Sequence, residues 1–121
     1  MSRLSDREGM VLTALWEADG ADLGQLTEAL RPATGWSRNT VLTYLTRMEA
    51  KGLVQIDKEA APHIYRAALE RSACQARERR SFLQHVYQGS TGDLVAAFLK
   101  EEPISAEERD ALRRLLDEME V

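Results

Sequence analysis

Few side chains in this sequence could do covalent or metal chemistry, and they are scattered. The 121 residues hold one cysteine, Cys74, and two histidines, His63 and His85. A single thiol excludes an internal disulfide and a thiolate cluster for a structural metal. A lone cysteine on a helix serves more often as a small apolar residue than as a redox sensor. Neither histidine has another three or four residues away, so neither reads as a metal ligand. There is no glycine-rich phosphate loop, no nucleophile elbow and no catalytic carboxylate or Cys/His grouping. The sequence therefore predicts neither an enzyme nor a cofactor.

What the sequence does offer is recognition chemistry, concentrated in residues 36–52. Ser37 is a good helix N-cap, with Trp36 before it placed to staple onto Val41. The helix is expected to run to Lys51, with Gly52 as a left-handed stop. At about 100° per residue, Thr40, Thr43, Tyr44, Arg47 and Lys51 fall within an arc of about 100°. Val41, Leu45 and Met48 fall on the other side, suited to a core. The polar arc carries hydroxyls, a phenol and two cations, and no carboxylate. Arginine can pair bidentately with guanine, and threonine offers a hydroxyl and a methyl group to thymine, so the arc suits the DNA major groove. Asn39 can reach adenine or a phosphate. Ser37 and the first-turn amides are phosphate donors, and Arg38 is counted with them. An ordinary solvated face is the plain alternative, but such faces usually mix glutamate with lysine.

Charge distribution agrees. The net charge is −4, yet residues 31–58 hold Arg31, Arg38, Arg47, Lys51 and Lys58 against only Glu49 and Asp57. DNA binding depends on a local basic surface, and the whole-chain sum does not decide it.

The elements that must position this face follow from caps and periodicity. Ser5-Asp6-Arg7-Glu8 reads as a capping box that opens a helix to about Ala18, where Asp19-Gly20 stops it. Its apolar stripe is Val11, Ala14, Leu15 and Ala18. A shorter helix spans about Leu23 to Leu30, ended by Pro32 and Gly35. After the recognition helix, Leu53 to Lys58 and His63 to Ala67 alternate around the turn Glu59-Ala60-Ala61-Pro62, which predicts a β-hairpin. Its tip would be a wing touching phosphates through Lys58, His63 or Arg66, or simply a hairpin covering the core.

From Glu70 onward the composition is helical. Helices are expected over about Glu70 to Gln88 and Asp93 to Glu101, and a last one opens with a second capping box, Ser105-Ala106-Glu107-Glu108, and runs to about Met119. Phe82, Leu83, Val86 and Tyr87 form one apolar stripe. Leu94, Val95, Phe98 and Leu99 form a second, and Leu112, Leu115, Leu116 and Met119 a third. An identical partner is the economical cover for them, because a dimer matches two half-sites in DNA. The first stripe could equally pack on its own chain. The expected fold is mainly α with a small β-hairpin: a winged helix-turn-helix over 1–68, then a three-helix dimerisation region over 69–121. No apolar run approaches the roughly 18 residues that span a bilayer, and the N-terminus lacks a leader-type apolar region, so a cytoplasmic location is expected.

Over nearly its whole length the chain resembles the BlaI/MecI/CopY-type repressor family. The resemblance rests on Trp36-Ser37-Arg38-Asn39-Thr40-Val41 through Leu45-Thr46-Arg47-Met48 and Lys51-Gly52, and on Phe82-Leu83-Gln84-His85-Val86-Tyr87-Gln88-Gly89-Ser90. Leu94 to Phe98 and Leu112 to Leu116 continue it. It implies a homodimer that binds dyad-symmetric operator DNA, with the helix of residues 37–51 in the major groove. Under it, Thr40 and Thr43 match groove-facing positions, Ser37 and Asn39 match helix-entry positions, and the C-terminal stripes match dimer contacts. It also implies a sensor protease as a further partner in β-lactam-responsive members, which are cut at an Asn-Phe bond. Here the matching pair is Ala97-Phe98. Copper-responsive members end in a cysteine-rich metal site, and this chain ends without one. Leu42 stands where the family often has a polar or basic residue, and the wing turn lacks the family's usual glycine and basic residue. A second reading of the same residues is a winged-helix module that docks a protein, consistent with the acidic remainder and plain wing.

Overall fold

Local signals set where most of the helices begin. In the computed structural model, which describes residues 4–119, Ser5 caps α1 (Asp6–Ala18): its hydroxyl accepts from the Glu8 N–H at 3.1 Å, and Glu8 accepts from the Ser5 N–H at 3.0 Å. Met1 to Arg3, where the leader reading begins, and the closing Glu120 and Val121 lie outside the described residues. Asp22 and Gln25 form the same reciprocal box at the start of α2 (Leu23–Thr34), and Ser37 caps α3 (Arg38–Ala50) through the Thr40 N–H. The hairpin β1 (Val54–Asp57) and β2 (Ile64–Ala67) follows, then α4 (Arg71–Tyr87), α5 (Thr91–Glu101) and α6 (Ala106–Glu118). The described residues are thus mainly helical, with a two-stranded hairpin after the third helix.

Three local expectations shift. α2 runs through Pro32 and stops only at Gly35. Proline removes one backbone donor but keeps the helical φ, and the last turn is closed by the Gly35 N–H on the Arg31 carbonyl at 2.9 Å and the Thr34 hydroxyl on that of Leu30 at 2.8 Å. α5 begins at Thr91, ahead of Asp93, because Ser90 supplies the cap. At α6 only half of the second box forms: Ser105 accepts from the Glu108 N–H at 3.0 Å, without the return bond among the described residues.

The chain divides into two compact units, the first ending at Arg79 and the second beginning at Arg80, a boundary that falls within the sequence of α4. In the first, Val11, Leu12 and Leu15 of α1 face Leu26 and Leu30 of α2 and Val41, Leu45 and Met48 of α3. Leu12, three residues before Leu15, takes a place in the stripe expected for Ala18, which is exposed at the helix end. The strands pair antiparallel from Val54↔Ala67 to Asp57↔Ile64. Buried Tyr65 also exchanges backbone bonds with Ala21, at 2.8 and 3.0 Å, so the hairpin is pinned to the α1–α2 connection. The Trp16 indole N–H reaches the Leu69 carbonyl at 3.0 Å, and Cys74 in α4 is buried in the same core. Burial raises the Cys74 thiol pKa, with Glu78 adding to the rise and Arg77 opposing it.

The second unit is different in kind. Neither α5 nor α6 has a buried residue. Phe98, Leu115 and Leu116 are 57%, 59% and 66% exposed, and Val86, Val95, Leu99, Leu112 and Met119 are exposed as well.

Candidate nucleic-acid interface

α3 is seated by its apolar side. Val41, Leu45 and Met48 are fully buried, so the direction away from them decides what the helix presents. At about 100° per residue that direction carries Asn39, Thr43, Thr46 and Ala50, flanked by Leu42 on one side and Arg47 on the other. All six are exposed. The presented face is therefore turned by roughly a sixth of the helix circumference from the centre of the expected arc of Thr40, Thr43, Tyr44, Arg47 and Lys51.

The residues of that arc divide accordingly. Thr43 and Arg47 are on the exposed face. Thr40 is half-buried, its hydroxyl 3.1 Å from that of Ser37, which is already committed to the Thr40 N–H. Tyr44 is half-buried and stacked on Trp36, with ring centroids 4.7 Å apart and planes 16° from parallel. Trp36 thus stacks on Tyr44 while also packing against the core that contains Val41, its expected staple partner. The Tyr44 hydroxyl accepts from Arg7 of α1 at 3.4 Å. Lys51, just past the helix end, places its ammonium 2.8 Å from the Glu8 carboxylate. Tyr44 and Lys51 thus hold α3 against α1. Ser37, Arg38 and Asn39 are exposed at the helix entrance.

Electrostatics sharpen this division. Of the five cations in residues 31–58, Arg31 pairs with Glu28 at 2.9 Å, Lys51 with Glu8 and Lys58 with Glu49 at 3.7 Å. Arg38 and Arg47 have no carboxylate partner among the described residues. Burial of Glu8 opposes its charged form, but the Lys51 ammonium and the Ser5 N–H outweigh it and lower the Glu8 pKa. Arg66, considered for the wing, is turned back to the end of α1, where it donates to the Asp19 carbonyl at 2.7 Å. His63 is exposed and shares an open hollow with Pro62, Arg38 and Leu42, so the wing approaches α3 at its entrance.

The hydroxyls on the exposed face are already in use as donors. Thr43 donates to the Asn39 carbonyl at 2.9 Å, and Thr46 to the Leu42 carbonyl at 2.9 Å. Their lone pairs and methyl groups remain available. Thr46 was missed from the sequence, and Leu42 was singled out only as a departure from the family; the outward direction measured from the centre of the apolar trio places both on the exposed face. Of the residues expected at a dimer contact, Phe82, Leu83, Tyr87 and Leu94 are half-buried, while Val86, Phe98, Leu112, Leu115 and Leu116 are exposed. No group of three or more metal-ligating side chains occurs among the described residues, nor is any described helix long and apolar enough to cross a membrane.

Comparison with known proteins converges on one family. The chain is 28% identical to the penicillinase repressor of Bacillus licheniformis over 116 residues, covering 96% of this chain and 91% of that protein. It is 27% identical to the methicillin resistance regulatory protein MecI of Staphylococcus aureus over 114 residues, covering 94% and 93%. Among solved structures, monomeric BlaI of Bacillus licheniformis in complex with the blaP half-operator is similar, with a TM-score of 0.52 and 25% identity over 59% of this chain and 87% of that one. The family model described as penicillinase repressor matches residues 4–118, and the chain belongs to that family, one of repressors and not of enzymes.

Proposed function

We propose that this protein is a sequence-specific, DNA-binding transcriptional repressor that acts as a homodimer, with α3 in the major groove of each half of a dyad-symmetric operator. The observation that carries this is the exposed face of α3: Asn39, Thr43 and Thr46 accompanied by the two unpaired arginines, Arg38 and Arg47, with no carboxylate among them. The BlaI relative bound to its half-operator supports it. Ser37 and Arg38 meet phosphate at the helix entrance, with His63 beside them. Tyr44 and Lys51 contribute by orienting the helix, and Thr40 lies at the edge of the contact.

Residues 1–68 form the DNA-binding part and residues 69–121 the dimerisation part. The apolar faces of α5 and α6, bare in a single chain, support a second copy as their cover. Phe98 of the Ala97-Phe98 pair lies exposed within α5, and a protease cut there would separate the end of α5 and all of α6 from the rest. Operator DNA as the target supports a cytoplasmic location.

Selection of a randomised duplex library against the purified protein is expected to enrich one motif. Arg47→Ala combined with Thr43→Ala is expected to weaken binding to it at least tenfold, with thermal melting unchanged. Failure to enrich any sequence would remove this reading in favour of a protein-docking module.

A further inference from the structure

We infer that the middle of the α3 face reads thymine, through C5-methyl contacts made by Leu42, Thr43 and Thr46. This rests on the reading of α3 as the groove-entering helix and specifies the bases that it selects. Leu42 is 39% exposed although it is a large apolar side chain on an otherwise polar face. Its neighbours Thr43 and Thr46 each give their hydroxyl proton to a carbonyl one turn back. What remains to face a ligand is an isobutyl group, two methyl groups and two oxygen lone-pair sets.

That inventory fits one kind of base pair. Guanine presents acceptors in the major groove and requires a donor. Leu42, Thr43 and Thr46 have none to give without breaking a helix bond, so guanine reading is left to Arg47 and to the amide of Asn39. An A·T pair presents a donor, the adenine amino group, beside an apolar group, the thymine methyl. Threonine oxygens can accept from the first, and the apolar groups of Leu42, Thr43 and Thr46 can cover the second. Thymine methyls opposite Leu42, Thr43 and Thr46, with guanine toward Arg47, is therefore the pattern that this surface matches.

The test removes only a methyl group. The tightest duplex from the randomised selection is remade with single deoxyuridines in place of each half-site thymine, and affinities are measured by fluorescence anisotropy. At one or more central positions, uracil is expected to weaken binding about threefold to fivefold, the effect of one methyl group taken from water. With Leu42→Ala, or with Thr43→Ser, which deletes only the methyl on the protein side, the preference for thymine over uracil is expected to fall toward one. Leu42 and Thr43 are exposed, so both variants are expected to melt as the parent does. A selected duplex with G·C pairs at the centre, or one whose affinity no uracil changes, would overturn the inference while leaving sequence-specific binding intact. If no sequence is enriched at all, the inference falls together with the reading on which it rests.

Discussion

Glu8 and Lys51 meet at 2.8 Å across 43 positions of sequence, and so tie the first turn of α1 to the end of α3. The same carboxylate completes the α1 capping box through the Ser5 N–H. One buried acid thus caps one helix and anchors another.

Glu8→Gln is expected to cost about 1 kcal/mol at neutral pH, since Lys51 is half exposed and the pair is partly screened. The pH dependence has a definite sign. Because the folded-state pKa is lowered, the contribution is present above the ordinary value of 4.5 and is lost as the pH falls through the lowered one. Urea denaturation of both proteins between neutral and acid pH should show the difference shrinking below about pH 4.5. A constant difference would mean that the Glu8 charge contributes nothing.

The cations of α3 should separate in their salt dependence. Arg38→Ala and Arg47→Ala are each expected to weaken DNA binding, and any arginine that contacts phosphate should reduce the slope of log affinity against log salt by about one. Lys51→Ala should leave that slope unchanged and instead lower the denaturation midpoint, because its ammonium is held by Glu8. Anisotropy titrations at several salt concentrations check this directly.

The C-terminal unit should depend on its partner. Leu115→Asp with Leu116→Asp places charge on the most exposed apolar stripe and is expected to yield monomers by sedimentation. Operator affinity should fall by a hundredfold or more as the linkage of two half-sites is lost. The N-terminal unit should keep its fold, visible in the Trp16 and Trp36 emission. Dimers that survive both substitutions would remove the assigned interface.

Gly20→Ala probes the join between α1 and the hairpin. Gly20 has φ +99°, and an added Cβ would lie 2.5 Å from an Arg66 guanidinium nitrogen. Backbone strain and displacement of Arg66 from the Asp19 carbonyl together are expected to cost about 1–2 kcal/mol in urea denaturation.

Much of the fold was legible because its signals are local. Ser5 and Glu8, or Ser37 with the turn that follows, act within four residues, and the Val41–Leu45–Met48 trio declares a buried side by spacing alone. The hairpin was visible as two alternating segments around a turn. Its bridge to Ala21 was not, since a single residue pair leaves no period. The orientation of α3 was harder for the same reason. Tyr44 and Lys51 are polar enough to read as outward, but a tryptophan on one side and a glutamate 43 positions away claim them. Both partners are chosen by tertiary packing. Leu42 runs the opposite way: its type suits a core, and its position gives it to the surface.

Thr43 and Thr46 carry a further consequence. A side chain bonded to its own helix has surrendered its rotational freedom before any ligand arrives. Bases met by these two threonines are thus engaged without an ordering cost, whereas Arg38 and Arg47, long and exposed, must each give up roughly 2 kcal/mol of rotamer entropy to settle. The centre of the surface is a rigid template and its ends are mobile arms. Weakening the arms by heat or salt should leave the template's discrimination between bases largely intact even as overall affinity declines.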